Sequence, residues 1–136
     1  MKNILWLVGV LFVAGCQSMT ASEPLNIIGE WRIEYIGERP VIDHSPATIA
    51  FEEDGKFAGN AGCNRYFGSF KLDGVNLQID KGLGSTRMMC AVESLMEQEN
   101  RLFQVLPMAA TVSLDNGLLL IMDKAGKQLL KGVPTK

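Results

Sequence analysis

The chain has 136 residues, with 13 basic and 15 acidic side chains and a formal net charge of −2. The two signs are interspersed and no basic block occurs, which argues against nucleic acid as a partner. The length accommodates one domain with a leader and a tether.

The N-terminus has the pattern of a cleaved leader. Lys2 is the only early charge, and the run from Ile4 to Val13 is apolar apart from one glycine. This run is too short to span a bilayer, which needs about 20 residues, but it is typical of a signal-peptide core. It ends in Val13-Ala14-Gly15-Cys16, which resembles the box cut by the lipoprotein signal peptidase. We therefore predict a signal peptide over residues 1–15 and lipidation of Cys16. The alternative is an ordinary secretory signal or a buried N-terminal helix.

Residues 16–26 are predicted to form a lipidated polar tether. Loss of the leader removes one lysine and no acidic residue, which lowers the net charge from −2 to −3. Two or three acyl chains make such an attachment stable. Gln17 occupies the position where Asp favours retention in the inner membrane, so in a Gram-negative source we expect the outer membrane, at its periplasmic face, before the inner one.

The remaining cysteines, Cys63 and Cys90, form a pair outside the reducing cytosol. The default interpretation is a disulfide. Closing this loop stabilises the fold by roughly 3 to 4.7 kcal/mol in the chain-entropy model. A reactive thiol and a metal site are the alternatives. Since the chain has one His and no Cys-x-x-Cys, we expect neither a metal nor a cofactor.

The domain opens on an alternating segment in which Trp31, Ile33 and Tyr35 share one face, the pattern of a half-buried strand. Four later turn signals separate apolar runs and predict repeated hairpins. These signals are Glu53-Asp54-Gly55, Asp73-Gly74, Asn116-Gly117 and Lys124-Ala125-Gly126. The run Leu118–Met122 is apolar on both faces, which predicts a central strand covered on both sides.

One helix is predicted over about residues 92–106. Its apolar stripe consists of Leu95, Leu102, Phe103 and Leu106, and Pro107 is expected to end it. The predicted fold class is α+β, with a strongly curved or barrel-like antiparallel sheet of short hairpins and this one helix packed on it. A single domain is expected over residues 27–133.

The segment Gly59–Gly68, Gly-Asn-Ala-Gly-Cys-Asn-Arg-Tyr-Phe-Gly, resembles the signature of the META domain family, in its HslJ-like bacterial lipoprotein branch. Ser85–Cys90 and Leu118–Leu120 resemble later motifs of the family in the expected order. The chain lacks the Pro often found before the family's helix, so we expect Ser94 to cap it. The resemblance implies a small α+β domain in the cell envelope and phenotypes of heat induction and aminocoumarin tolerance, but no reaction.

Glu99 falls on the apolar stripe of the predicted helix, where an unpaired carboxylate costs several kcal/mol. Thr86 and Arg87 are the expected partners, if the Cys90 bridge holds them near the sheet. Two hypotheses remain open for this polar cluster of Thr86, Arg87 and Glu99. It is either a structural support or a functional polar site.

The motif residues Gly59, Asn60, Gly62 and Asn64 lack the pattern of a phosphate-binding loop. They predict a curved strand corner, with ligand contact as the alternative. Two further sets of residues suggest chemistry. Asp43-His44-Ser45 has the residue types of a catalytic triad, but adjacent residues lack its geometry. Met88-Met89 is the exposed candidate for soft-metal binding or an adaptable surface.

These patterns predict a non-enzymatic, monomeric envelope lipoprotein that binds the membrane through Cys16. It would support envelope stress or antibiotic tolerance through contacts with an unidentified envelope protein or small molecule. The alternative is a small apolar ligand bound in the mouth of the sheet, which requires an open cavity. No residue pair combines a nucleophile with a base, so an enzyme is not expected.

Overall fold

The computed structural model describes Gly15 and residues 23–136. Apart from Gly15, the predicted signal peptide and the predicted lipidation site, Cys16, therefore lie outside the described residues. Within the described chain, no helix is both long enough and apolar enough to cross a membrane.

The described regular structure consists of ten strands, one α-helix and one 3₁₀ turn. The strands are β1 (Gly29–Ile36), β2 (Arg39–Pro40), β3 (Ala47–Phe51), β4 (Lys56–Asn60), β5 (Arg65–Asp73), β6 (Asn76–Ile79), β7 (Gly84–Ser85), β8 (Thr111–Asp115), β9 (Leu118–Met122) and β10 (Gln128–Pro134). The helix is α1 (Glu93–Val105), and the 3₁₀ turn Leu106–Met108 follows it directly.

All pairings between strands are antiparallel, and the sheet returns on itself. The strand order is β10-β9-β8-β6-β5-β4-β3-β1, and β1 pairs back with β10. β2 extends β1, and β7 pairs with β5. The result is a ring rather than a regular barrel, because β6 and β8 meet at the single residue pair Asn76–Thr111. The predicted α+β class, with a strongly curved antiparallel sheet and one helix, is confirmed.

The predicted turn signals lie where consecutive strands of this ring are connected, with Asp73 as the last residue of β5. Asn116-Gly117 shows most clearly why these residues form turns. It is a two-residue connection between the paired residues Asp115 and Leu118. Both turn residues have positive φ, 50° for Asn116 and 80° for Gly117. A tight hairpin of the primed type requires that backbone, and Asn-Gly adopts it at low cost. Local turn chemistry therefore determines where the strands of the ring end.

The alternation predicted for β1 is wrong at Tyr35. Trp31 and Ile33 are buried, but Tyr35 is 36% exposed and Ile36 is buried instead. Between Ile33 and Tyr35 the register against β10 shifts, so β1 carries one extra residue there. Such a bulge exchanges the inward and outward faces of the strand beyond it. Outside the ring, the Tyr35 ring has the ammonium of Lys131 5.7 Å from its centroid.

Helix α1 lies within the predicted range, but Ser94 does not cap it. The residue at the N-cap position is Val92, and no side chain there accepts a hydrogen bond from the first turn. Pro107 falls in the 3₁₀ turn, so the α-helical hydrogen bonds end before it. Leu102 and Leu106 are fully buried and attach the helix to the core of the ring.

Side chains fill the interior of the ring. Five aromatic residues belong to one buried apolar cluster: Trp31, Phe51, Phe57, Tyr66 and Phe70. The rings of Phe51 and Phe70 meet edge to face with centroids 4.9 Å apart. On β9, Leu119 and Ile121 point into this core, while the alternate residues are only partly buried. The prediction that β9 is covered on both faces is therefore wrong for its outer face. Within the part of the chain that the structure describes, this filled interior gives no support to the hypothesis of an apolar ligand in the mouth of the sheet, which requires an open cavity.

Candidate functional site

The candidate site lies where the β4–β5 connection, the segment before α1 and α1 itself meet. Cys63, in the β4–β5 connection, forms a disulfide with Cys90, and their Cα atoms are 5.9 Å apart. Two buried polar side chains lie against this bond. The Cys90 sulfur is 3.9 Å from Asn64 Nδ2 and 4.0 Å from Glu99 Oε2. The disulfide and the polar side chains therefore form one continuous cluster.

Glu99 is 5% exposed and accepts hydrogen bonds from three N–H groups. Its Oε1 accepts from the backbone N–H of Cys63, at 3.1 Å, and from that of Asn64. Its Oε2 accepts from Asn64 Nδ2 at 2.9 Å. Neither salt bridge of the described chain includes this carboxylate. Hydrogen bonds alone therefore satisfy the buried carboxylate, and they connect α1 to the β4–β5 connection.

The side chain of Asn64 links Glu99 to the segment before α1. Its Oδ1 accepts from the backbone N–H of Met88, at 2.7 Å, and from the Thr86 hydroxyl, at 3.0 Å. Its Nδ2 donates to the Met88 carbonyl at 3.2 Å in addition to Glu99. One amide therefore uses both of its donors and both of its acceptor sites inside the protein. This arrangement fixes the Met88 backbone from both sides.

The predicted partners of Glu99 have different places in the cluster. Thr86 belongs to it through Asn64, and its Oγ1 also accepts from the backbone N–H of Arg65 at 3.1 Å. Arg87 is exposed, is in neither described salt bridge, and lines an open groove of about 370 Å³ over the cluster. Because backbone and amide N–H groups already surround Glu99, its burial needs no cation.

A second buried polar residue, Gln98, was missed by the sequence analysis. It is fully buried, and its Oε1 accepts from the backbone N–H of Ile42 at 2.9 Å. Its Nε2 donates to the carbonyls of Ala61, at 3.1 Å, and Ser45, at 3.3 Å. The sequence spacing indicates that Gln98 is buried, because it lies three residues after Leu95 and four before Leu102, on the apolar stripe. Gln98 connects α1 to the β2–β3 loop as Glu99 connects it to the β4–β5 connection.

The family-motif glycines allow close packing around these polar groups. A Cβ at Gly62, whose φ is +118°, would lie 2.7 Å from Gln98 Nε2 and 3.0 Å from Ser45 Oγ. A Cβ at Gly59 would clash with the Thr48 carbonyl oxygen. Asn60 satisfies the turn, since its Oδ1 accepts from the Gly62 N–H at 2.8 Å. Protein atoms thus occupy the space beside these residues, which supports a structural corner over ligand contact.

The residues Asp43-His44-Ser45 do not assemble a triad. Ser45 is buried and its hydroxyl donates to the Gly62 carbonyl at 2.6 Å, whereas Asp43 and His44 are exposed. The Ser45 hydroxyl proton is therefore used in holding the loop rather than shared with a base.

One group of described residues has the composition of a metal site. Ligand atoms of Cys63, Cys90 and Glu99 lie within 4.8 Å of one another. Metal binding by cysteine requires thiolates, and the two sulfurs are bonded to each other. In this oxidised form the group holds the protein together and offers no thiolate ligand.

Among residues 23–136, Tyr66 is a buried ionisable group whose pKa is clearly shifted. Its hydroxyl donates to the Thr48 carbonyl at 2.6 Å, and burial raises its pKa above the ordinary value of 10.0. The unfolded chain then ionises first, so the stabilisation is complete below pH 10 and is lost as the pH rises further.

Tyr66→Phe is expected to reduce the fall in the free energy of unfolding at alkaline pH. The contribution of Tyr66 to that decline is at most about 1.4 kcal/mol per pH unit above its unfolded pKa, and the variant lacks it. Near neutrality the lost hydrogen bond costs about 1 kcal/mol. Urea unfolding between pH 8 and 11.5 measures both effects, with Tyr35→Phe as the control. Parallel pH profiles for Tyr66→Phe and the unsubstituted chain would contradict this prediction.

The sequence-family model of the META domain matches residues 24–133 of this chain. The chain belongs to the META domain family. It is also similar to the heat shock protein HslJ of Escherichia coli K12, with 34% identity over 76% of each chain. The disulfide, the Asn64–Glu99 pair and Gln98 thus lie within the matched META domain.

Solved structures share this fold. An NMR structure of a protein 33% identical to this chain superposes with a TM-score of 0.60 and covers 77% of this chain and 88% of that one. An NMR structure from Burkholderia xenovorans has a TM-score of 0.64 at 20% identity, over 100% and 99% of the two chains. A crystal structure of a DUF4847 family protein from Bacteroides vulgatus has a TM-score of 0.56 at 18% identity, over 79% and 93%. The last two likenesses establish the fold alone.

Proposed function

We propose that this META domain is a non-enzymatic envelope lipoprotein that supports tolerance of envelope stress or antibiotics through protein contacts. The observation that carries the proposal is an exposed apolar segment, residues 88–92, whose Met88 backbone is hydrogen-bonded to Asn64. We name it the methionine segment. Met88 is 62% exposed, Met89 90% and Val92 53%. The name of the E. coli relative, a heat shock protein, supports a role in stress.

Residues packed beneath the methionine segment hold its backbone in place before any partner binds. Asn64 holds the Met88 backbone through its N–H and its carbonyl, and Cys90 is covalently joined to the β4–β5 connection. Exposed apolar side chains are unfavourable in water and mark contact sites when they cluster. A rigid support lowers the conformational entropy lost on binding, and methionine adapts to varied apolar partners. A protein surface with an apolar pocket is the partner that this segment fits.

The polar groups that could carry chemistry support the non-enzymatic part of the proposal. Glu99, Asn64 and Gln98 are satisfied by protein donors and acceptors, and Ser45 and Tyr66 donate to backbone carbonyls. A general base or nucleophile needs a free lone pair within reach of a substrate. In the described cluster those lone pairs and protons hold the fold together.

The anchor in this proposal is lipidated Cys16, at the periplasmic face of the outer membrane. The pattern Val13-Ala14-Gly15-Cys16 and Gln17 after it support this location. Metabolic palmitate labelling that is lost in Cys16→Ser, combined with separation of the two membranes, tests this part independently of the contact surface.

In-cell crosslinking tests the contact surface. A photo-crosslinking amino acid at Val92 in the full chain is expected to capture a reproducible neighbour by mass spectrometry, more strongly under heat or aminocoumarin stress. The capture should be lost in Met89→Ser and retained in Val75→Ser, which alters another exposed apolar residue, in the β5–β6 turn. Both substitutions should change stability by less than about 0.5 kcal/mol, because they affect exposed side chains. Equal capture in the two variants would refute the methionine segment as the contact.

A further inference from the structure

The disulfide Cys63–Cys90 and the carboxylate of Glu99 bring three potential metal ligands together. One ligand atom from each residue lies within 4.8 Å of the others. In the oxidised chain the two sulfurs are bonded to each other and offer no thiolate. Reduction by a dithiol breaks this bond. The protein disulfide takes up two electrons and two protons and becomes two thiols, while the dithiol becomes a disulfide. The reduced chain then presents two cysteine thiols beside one carboxylate.

Glu99 keeps one acceptor position on the side of the disulfide. A carboxylate has about four lone-pair positions, two on each oxygen. Its Oε1 accepts from two backbone N–H groups, those of Cys63 and Asn64, whereas Oε2 has one N–H donor among the described residues, Asn64 Nδ2. Oε2 is also the oxygen that lies 4.0 Å from the Cys90 sulfur. The remaining lone pair of this buried carboxylate therefore belongs to an oxygen beside the sulfur.

The spacing of these atoms suits a tetrahedral zinc ion. Zinc–sulfur bonds are about 2.3 Å and zinc–oxygen bonds about 2.0–2.2 Å long, so neighbouring ligand atoms lie roughly 3.5–4 Å apart. The Cys90 sulfur and Glu99 Oε2, at 4.0 Å, are already near that separation. The two sulfurs must move apart after reduction. Because Cys63 is only partly buried, we expect its side chain to rotate toward solvent. The oxidised geometry is therefore close to that of a zinc site.

The hydrogen bonds that orient a metal-binding carboxylate are already present. Outer donors of this kind fix metal ligands in place, and their removal typically weakens metal affinity about 10–100-fold. Three N–H groups, from Cys63 and Asn64, hold the Glu99 carboxylate in one orientation. A metal ion has two routes from solvent. One is the open groove of about 370 Å³ that borders Asn64 and Glu99, and the other is the partly exposed side of Cys63.

We propose that the reduced chain binds one Zn²⁺ ion through Cys63, Cys90 and Glu99, with water as the fourth ligand. Each thiol releases its proton as its zinc–sulfur bond forms, so two thiolates and one carboxylate face a divalent cation. Thiolate ligands favour zinc over Mg²⁺ and Ca²⁺, which prefer oxygen ligands. The ion replaces the disulfide as the link between the β4–β5 connection and the methionine segment. The inference goes beyond the proposed contact function and does not depend on it.

Zinc titration of the full chain in a non-ionic maltoside detergent tests the proposal. The chain carries Cys16→Ser, which removes the remaining one of its three cysteines. It is titrated oxidised and after reduction by a phosphine, with a chromophoric chelator as the competitor for zinc. We expect the reduced chain to bind one zinc ion at least about tenfold more tightly than the oxidised chain. X-ray absorption of the complex should show two sulfur ligands at about 2.3 Å and two oxygen ligands at about 2.0–2.2 Å.

Glu99→Gln should weaken the zinc affinity of the reduced chain at least about tenfold. Glu97→Gln, which alters an exposed glutamate on the same helix, is the matched control and should leave it unchanged. Equal affinities in the reduced and oxidised chains, or in Glu99→Gln and Glu97→Gln, would overturn the proposal. A zinc spectrum with four sulfur ligands or with none would also overturn it. That spectrum is measured with Glu99 in place, so the test remains valid if Glu99→Gln fails to fold.

Discussion

Replacing Glu99 with alanine is expected to lower the free energy of unfolding by about 3–5 kcal/mol. The substitution leaves three N–H donors without an acceptor, two from the backbone of Cys63 and Asn64 and one from the Asn64 amide. The site is buried and packed against a disulfide, so these donors lose acceptors that the fold places within hydrogen-bonding distance. Urea unfolding followed by circular dichroism measures the effect. Glu97→Ala, an exposed glutamate on the same helix, should stay within about 0.5 kcal/mol.

Glu99→Gln removes the charge of the side chain but keeps its size and shape. Its oxygen can still accept from the two backbone N–H groups, but its amide would then face Asn64 Nδ2, donor against donor. We expect a loss of about 1–3 kcal/mol. Adding Asn64→Asp supplies an acceptor opposite the new amide but removes the donor to the Met88 carbonyl. A double-mutant cycle measures the resulting coupling between the two positions. A Glu99→Ala chain as stable as Glu97→Ala would contradict the structural role of the cluster.

Removing the disulfide by Cys63→Ala with Cys90→Ala should lower the free energy of unfolding by roughly 3 to 4.7 kcal/mol. The Cα separation of 5.9 Å lies within the range that disulfides span without backbone movement, so we expect the folded backbone to tolerate the bond. The loss should come mainly from a less constrained unfolded chain.

The control for this prediction is the unsubstituted chain unfolded with and without a reductant. Reduction should produce a shift similar to that of the double substitution, and the reductant should have no further effect on the substituted chain. A denaturation midpoint that neither reduction nor substitution changes would contradict the prediction.

Local sequence chemistry was sufficient to predict much of the ring. Asn116-Gly117 requires a primed turn whatever surrounds it, and the stripe through Leu102 and Leu106 requires a buried helix face. These features depend on backbone conformation and on periodicity, which neighbouring residues in the sequence determine. The need for partners around Glu99 followed from the cost of burying its carboxylate.

The identity of those partners depends on contacts between distant residues, which periodicity does not report. Arg87 was the expected counter-charge, yet Asn64, 35 residues before Glu99, supplies two of its three donors, one from the backbone and one from the side chain. The bulge that exposes Tyr35 depends on the register between β1 and β10, at opposite ends of the domain. Gln98 was missed because the stripe was counted on apolar residues alone.

Amide hydrogen exchange at Met88 tests the central claim that the Asn64–Glu99 cluster holds the methionine segment rigid. Met88 lies outside any strand or helix and its side chain is 62% exposed, yet its N–H donates to Asn64 Oδ1 at 2.7 Å. We expect slow exchange at Met88 in the native chain. Asn64→Ala should accelerate it while the Ile33 amide of the β1 core stays protected. Exchange of the Met88 amide in the native chain at the rate of an unstructured peptide would contradict the claim.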